Sequence, residues 1–384
     1  MPILFLIVVI DLIGFGIIIP LLPFYAEYFM ASPTEVGLIM ATYSFTQFLA
    51  APFWGRLSDK IGRRPVLLVS LMGLAISYIL LGLSDTLLLL FLARAIGGFM
   101  AGNISAAFAY AADVTTPENR AKAMGLIGAA FGVGFTLGPA LGGILAGSDP
   151  LDADFKTPAY SSAVLSGVAY LLTLFFLKES LNVKTRLKTA KKHNFFRLVS
   201  QPDICILMTL TFLCTFAFAG LEATFAMWSK RQFGWGPEQN GYLFAFVGLL
   251  GAVIQGSLIG RLVKKFGEGL LMLQGSIFLF LGILLIPFAS SIGVLILAMI
   301  LTGYGFSIMT PSLNSLISLK VSDQEQGEIM GVTRSTSTLA RIVGPASAGL
   351  IFGVFGKDFP FYGGALIMLF VICILILTLK RFRK

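Results

Sequence analysis

Asp11, Arg94, Glu222, Arg334 and Arg341 stand inside stretches that are otherwise apolar. An ionisable group in hydrocarbon costs a few kcal/mol unless it is paired or faces a wet cavity, so such residues mark ion pairs, proton relays or places where a charged solute is held. At about 1.5 Å of rise per residue, Asp11 lies roughly 12 Å in from one membrane face and Arg94 roughly 10 Å in from the other. In a slab of about 30 Å their backbones then differ in depth by about 8 Å, which an arginine side chain nearly spans. The two are expected to face one cavity and interact, so that protonating Asp11 frees Arg94. A static pair joining the first and fourth spans is the other reading. Glu222, in CTFAFAGLEATFAMW, is the one acid inside a span of the second half, with no basic residue within seven positions. Arg334 and Arg341 are seven residues apart and hence share a helix face. Three intramembrane cations against two acids leave an anionic, zwitterionic or lipid-like solute open.

The elements that must hold these groups are membrane helices. With 384 residues, 57% hydrophobic and 12% charged, the chain has more apolar surface than one soluble core can hide. Apolar runs long enough to cross a bilayer fall at about 3–24, 36–54, 66–83, 87–112, 121–146 and 160–177, then at 204–228, 242–259, 270–288, 293–319, 329–355 and 361–379. The first run has no basic start, carries Asp11, and meets Pro20 and Pro23 without a small-residue cleavage site, so it reads as a retained helix and not a leader. Cys205, Cys214 and Cys373 lie in spans, and the single histidine, His193, sits among lysines in a polar loop. Neither a disulfide, a metal site nor a cofactor is expected, and no metal or phosphate-loop motif supports an enzyme.

The net charge of +9 is not gathered in one basic region, so a nucleic-acid partner is not expected. Twenty-one of the 28 Lys and Arg fall in alternate loops and the C-terminal tail on one side, four on the other, and three within spans. The positive-inside bias therefore puts both chain ends in the cytoplasm. It makes GRLSDKIGRRP, starting at Gly55, a short cytoplasmic loop between the second and third spans.

Residues 178–202 form the longest polar interruption and divide residues 1–177 from 203–384. A shift of 205 residues lays GRLSDKIGRR over GRLVKKFGEG, starting at Gly260, with five of ten positions identical. A shift of 206 lays Met124, Gly125, Gly138 and Pro139 over Met330, Gly331, Gly344 and Pro345. The expected fold is an all-α membrane protein of twelve transmembrane helices, in two six-helix halves related by a pseudo-two-fold. Such halves suit alternating access to a central site. Ser32, Pro33 and Glu35 predict a capped helix start, and Ser322 with Glu325 repeats the capping box. Gly134, Gly138 and Gly142 recur every four residues, which lets a neighbouring helix approach closely, the interface between halves being the expected place. Tyr43, Phe216, Phe225, Trp228, Tyr242, Tyr304 and Phe306 are expected either to line a solute cavity or to pack.

These motifs together resemble the major facilitator superfamily over essentially the whole chain, in particular its twelve-helix drug and proton antiporters, which include the tetracycline-resistance pumps. GRLSDKIGRRP resembles the superfamily's hallmark loop. GVGFTLGPALGG, with Gly134, Gly138, Pro139, Gly142 and Gly143, resembles the antiporter motif of the fifth helix. DLIGFGIIIPLLP and FLARAIGGFMAG resemble first- and fourth-helix patterns of the same pumps. The resemblance implies a proton-coupled exporter of amphipathic small molecules or drugs, acting as a monomer in the inner membrane with protons, a small-molecule substrate and lipid as its partners. A same-fold importer or a lipid flippase for an anionic or zwitterionic substrate is the alternative; a membrane enzyme and a non-transporting receptor are the rivals from other classes. It also implies that Gly55, Asp59, Gly62, Arg63, Arg64 and Asp113 form a cytoplasmic latch, with Arg63 meeting Asp113 and Asp59 near the start of the eleventh helix, SDQEQGE. In related pumps an acid on the seventh helix, here Glu222, takes a proton or a cationic drug. The acid that some pumps add on the tenth helix is missing from YGFSIMTPSLN.

Overall fold

The computed structural model describes residues 1–180, 201–322 and 325–382. Among them there are helices and connecting turns and no strand. The helices are α1 (Pro2–Ile18), α2 (Leu22–Tyr28), α3 (Pro33–Ile61), α4 (Arg63–Gly82), α5 (Leu87–Met100), α6 (Asn103–Asp113), α7 (Pro117–Ala146) and α8 (Lys156–Phe176). After the linker come α9 (Pro202–Phe233), α10 (Pro237–Val253), α11 (Ile259–Leu285), α12 (Ile292–Leu319), α13 (Gln326–Phe355) and α14 (Phe359–Phe382).

Two of the first six spans are broken helices. Pro20 and Pro23 supply no backbone N–H, and the first span breaks between α1 and α2 beside them. The fourth span breaks at Ala101 and Gly102, between α5 and α6. Trp54 fills the notch: a β-carbon on Gly102 would run into its indole, whose Nε1 donates to the Phe99 carbonyl at 2.5 Å.

The Ser32 capping box forms as expected: the Ser32 hydroxyl accepts from the Glu35 N–H, and the Glu35 carboxylate accepts from the Ser32 N–H at 2.7 Å. Its second copy differs. Ser322 donates to Glu325 through both Oγ and N, but α13 starts only at Gln326, so Ser322 does not cap it.

The hallmark loop is hardly a loop. α3 runs to Ile61, α4 begins at Arg63, and the one residue between them, Gly62, has φ 112° and ψ 161°, a conformation that a side chain would strain. The repeat-related Gly267 has φ 74° and ψ 159°. It is the one break inside the long apolar helix Pro237–Phe288, which also carries a π-helical turn at Ile254–Leu258, and it separates the eighth span from the ninth. The spans then number twelve among the described residues.

The chain divides into two compact units, residues 1–189 with 226–249, and residues 190–225 with 250–384. The division differs from the sequence halves in the segment 226–249, and the cause is close helix approach within the first unit. A β-carbon on Gly143 would stand 2.9 Å from the Glu238 Cα, and one on Gly248 2.6 Å from the Phe135 carbonyl oxygen. The Glu238 N–H donates to the Gly147 carbonyl at 3.2 Å.

The glycines of GVGFTLGPALGG do allow close approach, but Gly134, Gly138 and Gly142 pack against α1. This corrects the expectation that they line the interface between halves. Their β-carbons would meet Leu12, the Gly16 backbone and the Ile17 carbonyl in turn. Phe135, Pro139 and Gly143, each one residue further along α7, turn to α10 instead. The core of the first unit gathers Leu4, Ile7, Leu12, Trp54, Leu67, Leu71 and Ile127, while large apolar side chains such as Leu6, Phe45, Val164 and Phe175 stay exposed, as lipid-facing positions require.

Candidate functional site

In the first unit Asp11, from the middle of α1, is buried at 6% exposure, and Arg94, from α5, at 5%. They form no ion pair, which corrects the expected Asp11–Arg94 contact. Arg94 lies over the Tyr43 ring of α3, its guanidinium carbon 4.3 Å from the centroid, a cation–π arrangement that gains strength where water is excluded. Asp11 is met instead by Asn103, the first residue of α6, whose Nδ2 donates to Asp11 Oδ2 at 2.6 Å. Three polar atoms of this cluster are buried without a hydrogen-bond partner: Asp11 Oδ1, Asn103 Oδ1 and Arg94 Nε. Phe15 packs against Tyr43 at 5.1 Å and against Phe135 at 6.2 Å between ring centroids, giving the cluster an aromatic side.

In the second unit Glu222 has a partner that its sequence neighbourhood does not contain. Arg341 Nη1 of α13 donates to Glu222 Oε2 of α9 at 3.2 Å; the glutamate side chain is 10% exposed and the arginine 37%. Arg334 lies on the same helix, about 10 Å from Arg341 along its axis. Of the aromatic residues, Phe225 and Trp228 are fully buried, Phe306 stacks on Phe218 with centroids 3.8 Å apart, and Tyr304 accepts from Gln274 Nε2 at 3.1 Å.

The hallmark turn is a dense charge cluster. Arg63 Nη1 reaches Asp59 Oδ1 and Ser58 Oγ, each at 2.6 Å, and its Nε donates to Asp113 Oδ2 at 3.1 Å. Arg64 Nη2 donates to the Leu174 carbonyl at 2.6 Å, tying α4 to the end of α8. The first backbone N–H groups of α4, orphaned as at any helix start, are taken by one carboxylate: Glu179 accepts from Arg63 N at 2.9 Å and from Arg64 N at 3.1 Å. Ser180 Oγ donates to Asp113 Oδ2. Gly55 has open space where a β-carbon would stand, so packing gives no reason for glycine there. Part of SDQEQGE, residues 323 and 324, and the basic stretch 181–200 with His193 lie outside the described residues.

At the other end of the first unit a cluster appears that the sequence did not suggest. Glu27 of α2 binds Lys230 Nζ at 2.9 Å and Arg231 Nη1 at 3.0 Å with its two oxygens, and its side chain is 11% exposed. Tyr25 beside it donates to the Leu81 and Ser84 carbonyls at 2.9 and 3.0 Å. A carboxylate that holds two cations and is this shielded is costly to neutralise. Glu27→Gln is expected to lower stability by about 1–3 kcal/mol, as for a lost charge-assisted bond, and thermal unfolding in detergent against the parent protein measures it. Asn103, Glu179 and Glu27 escape a search for charges in spans, because the first is neutral and the others stand at span ends.

A comparison with protein families matches residues 4–345 and 256–384 to the Major Facilitator Superfamily. The chain belongs to that superfamily. Its members are transporters, not enzymes, and the twelve spans follow its fold. Among curated relatives, the class C tetracycline resistance protein of Escherichia coli is 33% identical over 345 residues, covering 88% of this chain and 86% of that protein. Multidrug resistance protein 2 of Bacillus subtilis (strain 168) is 28% identical, covering 93% and 89%. Among solved structures, the human organic anion transporter MFSD10 (TETRAN) superposes with a TM-score of 0.74 at 28% identity, over 97% of this chain and 98% of that one. This superfamily member is thus a multi-pass membrane protein of a family that handles small molecules.

Proposed function

We propose that the chain is a proton-driven exporter of amphipathic small molecules, working as a monomer by alternating access in an inner (plasma) membrane with both ends cytoplasmic. The observation that carries this reading is Asp11: a carboxyl buried in the middle of a membrane helix, bound to an amide and to no cation. Such a group is retained at a cost of several kcal/mol and suits a proton that comes and goes. The likeness to tetracycline and multidrug resistance proteins supports the outward direction. The charge bias of the loops supports the orientation. Residues 1–177 and 203–384 would be the two moving halves. Asp59, Arg63 and Asp113, with Gly55, Gly62 and Arg64 around them, would hold them closed on the cytoplasmic side.

Glu222 and Arg341 form the substrate-side switch in this reading. A cationic drug displaces Arg341 from the carboxylate, and Arg334 lies on the same helix face as the displaced guanidinium. Glu222→Gln is expected to weaken export of cationic substrates by about tenfold or more, the worth of one charge-assisted contact, and to spare neutral ones. Efflux from reconstituted vesicles, compared substrate by substrate, measures it; equal transport of every cation would remove Glu222 from the site.

The reading as a whole is tested by flux into or out of proteoliposomes under an imposed pH gradient, over a panel of cationic, neutral and anionic amphiphiles. Gradient-driven outward movement is expected. A second reading, transport of an anionic or lipid-like substrate, rests on the burial of Arg94 beside Tyr43, and finds support in the similarity to the human organic anion transporter MFSD10. Selective transport of anions in the same panel would favour it.

A further inference from the structure

We propose that Asn103 is the positioning residue for the coupling proton: it closes a two-bond ring with protonated Asp11 and opens one side of that ring when the proton leaves. The inference rests on the exporter reading above and adds a residue and a chemical state to it.

The observation is a pair of orphans. Asn103 Nδ2 donates to Asp11 Oδ2 at 2.6 Å, while Asp11 Oδ1 and Asn103 Oδ1, the other oxygen of each group, are buried with no partner. Both orphans are acceptors, and a buried acceptor left unsatisfied costs about 1–3 kcal/mol. A single proton on Asp11 Oδ1 serves both, because the new O–H donates to Asn103 Oδ1 while Asn103 Nδ2 goes on donating to Asp11 Oδ2. Carboxylic acid and primary amide match in this way, donor to acceptor twice. The reverse orientation of the amide would set its oxygen against the carboxylate oxygen, so the chemistry fixes which way Asn103 points.

Nothing else around Asp11 does this job. Tyr43 of α3 and Tyr78 of α4 each lie within electrostatic reach of both Asp11 and Arg94, and Arg94 of α5 is engaged with the Tyr43 ring. α7 and α8 meet this stretch of α1 with Gly134, Gly138 and Ser162, none of which titrates; Ser162 donates to the Gly14 carbonyl. The break at Ala101 and Gly102 frees the start of α6 from the line of α5, and Asn103 is the residue that follows it.

The step balances simply. A hydronium ion delivers a proton to Asp11 Oδ1: one of its O–H bonds breaks, one forms on the carboxyl, a water molecule is left, and the ring closes with a neutral pair. On release the proton returns to water, and Asp11 carries a negative charge with Asn103 Nδ2 as its one hydrogen-bond donor.

Infrared difference spectroscopy of the whole protein in lipid, stepped in pH, tests the ring. The native protein is expected to show a protonated-carboxyl C=O band that vanishes in Asp11→Asn and lies at the low wavenumber of a doubly hydrogen-bonded acid. Asn103→Leu is expected to move that band to higher wavenumber, and Asn103→Gln to return it part of the way. A native band already at the high wavenumber of a free acid, or one that Asn103→Leu leaves in place, overturns the proposal, and the native spectrum alone decides if the leucine variant does not fold. Flux measured on the same vesicles separates the two readings. Gradient-driven export with a band that ignores Asn103 sinks the ring but keeps the exporter; a ring without gradient-driven flux does the reverse.

Discussion

Asp11→Asn yields a folded protein whose flux no longer responds to a pH gradient. The substitution keeps the volume and the planar shape of the side chain, and an amide facing Asn103 matches it donor to acceptor twice, as the protonated acid does. The hydrogen bond it replaces is worth about 1 kcal/mol net, so thermal unfolding in detergent should shift little. Coupling is another matter, because an amide neither takes nor gives a proton in this range of pH. Gradient-driven accumulation should fall to that of protein-free vesicles, while substrate exchange without a gradient continues at a measurable rate. Loss of exchange together with coupling would show Asp11 to be a structural element of the α1 packing.

Gly138→Leu is expected to prevent assembly of the first unit. A β-carbon at this position would stand 2.6 Å from the Gly16 Cα and 2.9 Å from the Ile13 carbonyl oxygen. The obstacle is backbone on both counts, so no rotamer change relieves it, and α1 and α7 must separate. Overpacking of a tight core costs about 1–3 kcal/mol even where side chains yield, and a leucine between two backbones exceeds that. The yield of monodisperse protein should collapse. Gly128→Ala in the same helix, where a β-carbon meets open space, is the control and should express like the parent. Normal yield and stability for Gly138→Leu would mean that α1 and α7 are not in contact as described.

The helices and the glycines were open to reading from sequence because their signals are local. A run of apolar residues has its own length, and a glycine at a repeat-related position keeps its backbone demand: Gly62 and Gly267 both take φ well above zero. The resemblance to the hallmark loop also placed Arg63 beside Asp113, and the 3.1 Å contact follows it. The pairings inside the spans were hidden. Depth alone pairs Asp11 with Arg94, whereas partners depend on the rotation of each helix and on the break that precedes Asn103. Glu222 has no basic residue within seven positions of sequence, yet a cation 119 residues away reaches it. By order in the chain the segment 226–249 belongs to the second half, while its glycines and Lys230 bind it to the first unit.

The grip of Glu179 on the start of α4 bears on how this chain can be cut or tagged. Both oxygens of one side chain, located two residues after the end of the sixth span, close the backbone of the hallmark turn. The polar connector is therefore moored at its first residues, Glu179 and Ser180. A cut just ahead of Glu179 would detach the carboxylate from the turn it closes and release Gly62 with it, so a protease site or an inserted reporter at that point is expected to disturb the start of α4.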